Sequence, residues 1–276
     1  MTIRIAQLSD AHLSPRFPRF EGNFDRVAEA VRAARPDLVI ATGDLSTDGA
    51  DDEADLRHAE ARHAALGVEL LAIPGNHDVG DDPVLGGRQP VNAERLARWR
   101  RVFGTLGFAR DVPGWRLLGL DTQSLGTPEA GAQWGMVEEA VATLGTRRLA
   151  LFLHKPLTEE RLDDTAVNYW PVLPAARARL LAIFGARRPA FVASGHVHQQ
   201  RDHAADGLRQ IWAPAIAFIV GDAWQKPVGA KTLGWVEHLL HPDGTAEHRF
   251  HLPAGMEPHD IGLMPEIYGA LPRLSA

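Results

Sequence analysis

Cysteine is absent from the 276-residue sequence. Disulfides and thiolate chemistry are therefore excluded, and any metal ion would have to be held by His, Asp, Glu or Asn side chains. A chain without cysteine also suits a reducing compartment. The first residues, MTIRIAQLSD, lack the basic start and the long apolar run of a signal peptide, so we expect a cytoplasmic protein.

Long apolar runs and basic clusters are missing as well. The apolar stretches, such as Ile211–Val220, fall short of the roughly 20 residues that a membrane helix needs, so we expect no membrane partner. The net charge is −6, without a long basic block, and this argues against nucleic acid as the main partner. An acidic protein that handles phosphates would need metal ions to supply local positive charge.

Short strand-like runs alternate with helical stretches through the first two-thirds of the sequence. The predicted strands are Ile3–Leu8, Leu38–Thr42, Val68–Ile73, Arg116–Leu120, Leu149–Leu153 and Ala190–Ala193. The predicted helices are Phe24–Ala34, Glu53–Leu66, Glu94–Phe103, Gly135–Leu144 and Ala175–Phe184. This alternation favours a mostly parallel sheet that is covered by helices.

After residue 207 the pattern changes to strands without helices. These are Leu208–Ala213, Ile216–Val220, Thr232–Leu240 and Thr245–Leu252, with a hairpin turn predicted at His241-Pro-Asp-Gly244. We therefore predict an α/β fold, a layered α-β-β-α sandwich of two mixed sheets flanked by helices, in which the late strands add to the second sheet. Residues 1–252 would form a single domain, and the tail 253–276 would pack on the body or on a partner.

Polar side chains that can bind metals follow five of the predicted strands. They are Asp10 and His12, then Asp44, then Asn76, His77 and Asp78, then His154, and finally His196 and His198. Each group alone has an ordinary explanation as a turn, a helix cap or a boundary histidine. Five such groups at the carboxyl edge of one sheet, where ligands bind in open α/β folds, indicate one shared metal site.

In this order the motifs D-x-H, GD, GNHD, a lone His after a strand, and GHVH resemble the calcineurin-like metallophosphoesterase superfamily. The close spacing is most similar to its class III branch of cyclic-nucleotide phosphodiesterases and glycerophosphodiesterases. The resemblance spans residues 10 to 198, and no ligand position of the family pattern is missing.

The resemblance implies two metal ions that share one carboxylate. One ion would be held by Asp10, His12, Asp44 and His198, and the other by Asp44, Asn76, His154 and His196. His77 matches the family's histidine that faces the substrate phosphate without binding metal. We count His77 and Asp78 as candidate catalytic residues, with Asp78 read as an acceptor that orients a neighbour. In some relatives an acidic residue shortly after GD pairs with this histidine, and Asp48 leaves that pairing open.

Independently of the family, four His, two Asp and one Asn form a donor set that suits Mn, Fe or Zn. Two such ions, joined by a carboxylate, would convert a shared water into a bridging hydroxide that attacks a phosphate in line. His77 would stabilise the transition state or protonate the leaving oxygen. The glycine of GHVH would let the backbone pass close to the cluster.

The sequence thus predicts a metal-dependent phosphodiesterase for a small phosphodiester, of the cyclic-nucleotide or glycerophosphodiester type. Candidate substrate contacts are Asn76, His77 and His203, although His203 also suits a surface position, and Tyr169 and Trp170 suit packing more than stacking on a substrate. The alternatives are a phosphomonoesterase or nucleotide pyrophosphatase on the same site, or a non-catalytic scaffold. A homodimer is the default oligomer, since symmetric dimers are commonest.

Overall fold

The computed structural model describes residues 1–274, which form eleven strands and seven α-helices. The strands are β1 (Ile3–Leu8), β2 (Leu38–Thr42), β3 (Leu70–Ile73), β4 (Phe108–Val112), β5 (Trp115–Leu120), β6 (Arg148–Leu153), β7 (Phe191–Ser194), β8 (Arg201–Ala205), β9 (Leu208–Trp212), β10 (Trp235–Leu240) and β11 (Ala246–His251). The helices are α1 (Glu21–Ala34), α2 (Glu53–Ala64), α3 (Asn76–Val79), α4 (Ala93–Phe103), α5 (Gly131–Ala142), α6 (Pro174–Phe184) and α7 (Pro265–Tyr268).

The helix boundaries follow capping side chains in the sequence. Asp52 accepts a hydrogen bond from the backbone N–H of Ala54 at the start of α2, and Asn92 accepts one from Arg95 at the start of α4. Both satisfy backbone donors that a helix leaves unpaired in its first turn. Helix α1 ends at Ala34 and is followed by Arg35, which adopts the left-handed conformation common after a helix.

The strands form two sheets. The first sheet has the order β11-β10-β1-β2-β3, in which β1, β2 and β3 are parallel and the β10–β11 hairpin is antiparallel to β1. The second sheet has the order β4-β5-β6-β7-β9-β8, in which β5, β6, β7 and β9 are parallel and the two edge strands are antiparallel. Both sheets are therefore mixed.

Three buried apolar clusters define the layers. One lies between the sheets and joins residues of both, such as Ile5 and Ile40 with Phe152 and Ala193. A second packs α1, α2 and α4 on the outer face of the first sheet, and a third packs α5 and α6 on the outer face of the second. The predicted sandwich of two mixed sheets between helices is confirmed.

Two predictions about the late strands were wrong. Only β9 joins the second sheet, whereas β10 and β11 extend the first sheet beside β1. The apolar stretch Ile216–Val220 is not a strand; its backbone instead donates from Ile216 to Ser9 and from Ala217 to Asp10. It is apolar because it is buried over the end of β1. The predicted hairpin at residues 241–244 is confirmed.

The described part of the C-terminal tail lies against the body of the protein. Ile261 and Met264 are buried in a small cluster with Phe20 and Phe218. The division into a domain of residues 1–252 and a tail stays a prediction, and the tail's last two residues lie outside the described ones. Within residues 1–274, none of the helices has the length and apolar character needed to span a bilayer.

Candidate metal centre

The seven predicted ligands follow five strands that come from both sheets. Asp10 and His12 follow β1, Asp44 follows β2 and Asn76 follows β3, all in the first sheet. His154 follows β6, and His196 and His198 follow β7, in the second sheet. The expectation of one sheet edge was therefore wrong: the carboxyl ends of two facing sheets converge, and the side chains meet between them.

The donor atoms of the predicted ligands form two neighbouring groups, and a third group joins His12 and Asp44 with His77. Asp10, His12 and His198 place one ligand atom each within 4.8 Å of one another, and so do Asp44, His154 and His196. Asp44 connects the groups, because its Oδ2 lies 3.3 Å from His154 Nε2 and 3.8 Å from His12 Nε2. All six side chains of the two neighbouring groups are buried.

Pairs of ring nitrogens point at each other across this space. His12 Nε2 lies 3.3 Å from His198 Nε2, and His154 Nε2 lies 3.2 Å from His196 Nδ1. The amide Oδ1 of Asn76 is 3.2 Å from His154 Nε2. Lone-pair donors that converge in this way fit cations, and the nitrogen and oxygen donors suit Mn, Fe or Zn.

The other ring nitrogen of three histidines is held by the protein. His154 Nδ1 donates to the Thr42 carbonyl at 2.8 Å, and His198 Nδ1 donates to the Phe218 carbonyl at 2.8 Å. His12 Nδ1 lies 2.6 Å from the hydroxyl of Tyr268. Such bonds fix the tautomer and leave the opposite nitrogen free for a metal ion.

The backbone at the ligands is strained. Among residues 1–274, seven non-glycine residues have a positive φ, and five of these are predicted ligands: Asp10, His12, Asp44, His196 and His198, with φ between 44° and 69°. A left-handed conformation is unfavourable for residues with a Cβ, and such strain concentrates at functional sites. The surrounding structure therefore holds the backbone of these five residues in a conformation that an unconstrained loop would rarely adopt.

Glycine is required beside two ligands. A Cβ on Gly195 would collide with Ser9 Oγ and lie 2.5 Å from Asp10 Oδ2, and one on Gly75 would collide with Asp44 Oδ1. The prediction that the glycine of GHVH lets the backbone pass close to the cluster is confirmed.

The charges of the site suit metal binding. Burial would raise the pKa of Asp44, but His154, His77 and His12 together hold it well below its usual range. Burial lowers the pKa values of His12 and His196, so both rings are neutral at pH 7, which is the form that binds metals. Burial also acts on His154, but the adjacent Asp44 outweighs it and raises that pKa to about 9, so a metal ion bound at His154 Nε2 would displace a proton.

His77 and Asp78 lie on α3 and differ in their surroundings. The backbone N–H of His77 donates to Asp44 Oδ1 at 2.8 Å, and its half-buried ring lies 5.0 Å from the ring of His12. Asp78 is fully buried, and its carboxylate accepts from Gly75, Leu45 and Ser46 of the two ligand-bearing loops. Burial and then Asp44 raise the pKa of Asp78 to about 6. These contacts favour a role for Asp78 in positioning the two ligand-bearing loops rather than in contacting the substrate.

His203 and Asp48, two other residues considered from the sequence, do not contact the cluster or His77, respectively. His203 lies on β8, where its Nε2 bonds to the Glu159 carbonyl and its ring packs on Trp212, so the structure does not bring it to the cluster. Its position on an edge strand explains this. Asp48 accepts from Arg16 and Gln89 and does not pair with His77.

Two cavities open beside the cluster and share His77 and Tyr268. The apolar cavity, of about 320 Å³, is lined by His12, Asp44, His196 and His198 of the cluster together with Tyr169, Trp170, Phe218, Val220, Trp224, Ile261, Leu271 and Pro272. The polar cavity, also about 320 Å³, is lined by Arg16, Phe17, Thr47, Asp48, Asp51, Arg88, Gln89 and Ile267. Sequence reasoning missed Tyr268, Phe218 and Trp224, since no motif surrounds them, and it favoured packing for Tyr169 and Trp170.

Comparisons with known proteins agree with this geometry. The family model of the calcineurin-like phosphoesterases matches residues 3–200. The chain is 27% identical to the 3',5'-cyclic adenosine monophosphate phosphodiesterase CpdA of Pseudomonas aeruginosa, over 89% of this chain and 88% of that one. It is 28% identical to the probable glycerophosphodiester phosphodiesterase GpdQ of Arcobacter nitrofigilis, over 60% of this chain and 58% of that protein.

Among solved structures, the purple acid phosphatase PPD1 from yellow lupin seeds superposes with a TM-score of 0.64 at 14% identity. The match covers 94% of this chain and 53% of that one, and it shows a shared fold. The family match covers most of the chain and includes every predicted ligand. The chain therefore belongs to the calcineurin-like phosphoesterase family and is a metal-dependent phosphoric ester hydrolase, as its motifs predict.

Proposed function

We propose that this protein is a phosphodiesterase with two metal ions that hydrolyses small phosphodiesters of the cyclic-nucleotide or glycerophosphodiester type. The observation that carries the proposal is the position of Asp44 between two groups of donors. The first ion would be held by Asp10, His12, Asp44 and His198, and the second by Asp44, Asn76, His154 and His196. Asp44 would bridge them.

The chemistry divides between the ions and the side chains. Divalent ions bound there would neutralise the charge of the phosphate oxygens. They would also lower the pKa of a bound water molecule to near neutral. The protein carries a net charge of −6, so the positive charge that attracts a phosphate would come from such ions. His77, which lines both cavities, would donate a proton to the leaving oxygen.

The two cavities support a diester over a monoester. A phosphate seated at the cluster beside His77 would have room for one organic group in the apolar cavity and another in the polar cavity. A monoester carries only one such group and would leave one cavity filled by water. The names of the relatives in Pseudomonas and Arcobacter support the same substrate class.

One observation favours a second candidate, a nucleotide pyrophosphatase. Arg16 and Arg88 line the polar cavity, where a further phosphate group would find positive charge. The guanidinium of Arg16 already pairs with Asp48 at 3.2 Å, which reduces the charge that remains for a ligand. The diester therefore remains the leading candidate.

The proposal is tested with chelator-stripped protein to which Mn²⁺ is added back. We expect turnover of bis-p-nitrophenyl phosphate to exceed that of p-nitrophenyl phosphate, and Asp44→Ala to abolish both. Asp52→Asn is the control, because Asp52 caps α2, lines neither cavity and belongs to none of the donor groups, and Asn caps as well. Preference for the monoester would overturn the diesterase proposal, and preference for ADP or ATP would favour the pyrophosphatase.

A further inference from the structure

The C-terminal segment contributes a hydrogen bond to the predicted metal centre. The hydroxyl of Tyr268, the last residue of α7, lies 2.6 Å from Nδ1 of His12. The opposite nitrogen of the same ring, Nε2, faces His198 Nε2 at 3.3 Å and Asp44 Oδ2 at 3.8 Å. The Nε2 edge of the His12 ring is thus directed at the cluster, and the Nδ1 edge is directed at the C-terminal segment.

This arrangement has a consequence for the tautomer of His12. A neutral imidazole carries one N–H, and a ring that presents its Nε2 lone pair to a cation must carry the hydrogen on Nδ1. The Tyr268 oxygen is then the acceptor of that N–H. His154 and His198 use backbone carbonyls for the same purpose, so His12 is the one of these three whose acceptor belongs to a side chain.

The Tyr268 side chain is also held in place from other directions. Its ring lies 4.4 Å from the His77 ring and 6.1 Å from the Phe218 ring. The preceding residues are fixed by two backbone bonds, from Ile219 to His259 and from Ile261 to Ile219. The hydroxyl is therefore delivered by an anchored segment.

We propose that Tyr268 is a positioning residue for His12 and that residues 253–274 thereby complete the metal centre, although they lie outside every motif of the sequence. The inference rests on the proposed role of His12 as a metal ligand. The bond fixes the tautomer and the rotation of the ring, and the Tyr268 side chain lines both the apolar and the polar cavity. Loss of the hydroxyl would leave Nδ1–H without this acceptor and would weaken metal binding.

The test compares metal binding by full-length variants, with Co²⁺ as the probe in calorimetric and visible-absorption titrations of chelator-stripped protein. Tyr268→Phe keeps the ring and removes the hydroxyl. We expect one class of Co²⁺ sites to bind roughly 10-fold to 100-fold more weakly, as for the loss of other groups that orient metal ligands. In a His12→Ala background the same change should have no further effect, because the residue that Tyr268 orients is gone.

Leu263→Ala is the control, since Leu263 is 69% exposed on the same segment and lines neither cavity. Its Co²⁺ affinity should equal that of the wild type. Equal affinity of Tyr268→Phe and wild type would overturn the inference, and so would the same loss in Leu263→Ala. If Tyr268→Phe binds Co²⁺ more weakly while the wild type hydrolyses no diester, the inference stands and the proposed function fails.

Discussion

The backbone N–H of His196 donates to both carboxylate oxygens of Asp10, at 3.1 and 3.0 Å. Asp10 follows β1 of the first sheet and His196 follows β7 of the second, so this contact joins the two sheets at the candidate metal centre. It orients the carboxylate before any ion binds, which is how groups around a metal site set the direction of its ligands.

Gly195→Ala should disturb this junction. The added Cβ would lie 2.5 Å from Asp10 Oδ2, and the expected overpacking costs about 1–3 kcal/mol of unfolding free energy. Metal content after purification should fall with it. Denaturant unfolding and elemental analysis measure both.

The matched control for this change is Gly135→Ala in α5, where a Cβ meets nothing within 4 Å. Helical glycine is unfavourable, so this variant should be about 0.5–1 kcal/mol more stable than the wild type. If Gly195→Ala kept wild-type stability and metal content, the loop that carries Gly195 would be able to move away from Asp10. The contact between His196 and Asp10 would then not be needed for metal binding.

Asp78→Asn tests whether Asp78 positions the ligand loops or acts in catalysis. One oxygen of the carboxylate accepts from the N–H groups of Gly75 and Leu45, and the other accepts from Ser46. An amide presents a donor on one side, so at least one N–H loses its acceptor. We expect about 1–3 kcal/mol lower stability and weaker Co²⁺ binding.

Asp52→Asn again serves as the control, because Asp52 accepts a single N–H, that of Ala54, with one oxygen. It should unfold like the wild type. If Asp78→Asn kept both stability and Co²⁺ affinity but lost turnover, the catalytic assignment made from the sequence would be supported instead.

The parts of the fold that the sequence predicts are those set by local patterns. Strands β1, β2 and β6 are buried along most of their length and read as apolar runs that end in polar residues. Their parallel order follows from the helices between them. The seven ligands could be predicted because each follows a strand, and the structure brings their side chains together.

The missed parts depend on tertiary contacts. Strands β4 and β8 lie at the edges of the second sheet and are partly exposed, so charged residues such as Arg110 and Asp202 hide the strand pattern. Ile216–Val220 has the composition of a strand, but Phe218 instead stacks on His198 at 4.4 Å. The contact of Tyr268 with His12 spans 256 positions and leaves no local signal.

Trp224→Ala tests the apolar cavity as the site of an aromatic ester group. The Trp224 indole lines that cavity and is not among the residues of the metal clusters. We expect KM for bis-p-nitrophenyl phosphate to rise by roughly 2-fold to 10-fold, which corresponds to the usual contribution of an aromatic pair, with kcat little changed. For a small polar diester such as glycerophosphoethanolamine, KM should not change. A similar rise for both substrates would contradict the assignment.

His63→Gln should make stability less dependent on pH. His63 is 1% exposed in α2, its Nδ1 bonds to the Ala59 carbonyl, and burial lowers its pKa from the ordinary 6.5 to about 4. Between these values the unfolded chain binds a proton that the folded one does not, so the contribution of His63 is full above pH 6.5 and is lost as pH falls toward 4. The loss amounts to about 3 kcal/mol. Urea unfolding of chelator-stripped protein at several pH values should show a shallower decline for the variant across this window, whereas parallel curves would mean that His63 is protonated without unfolding.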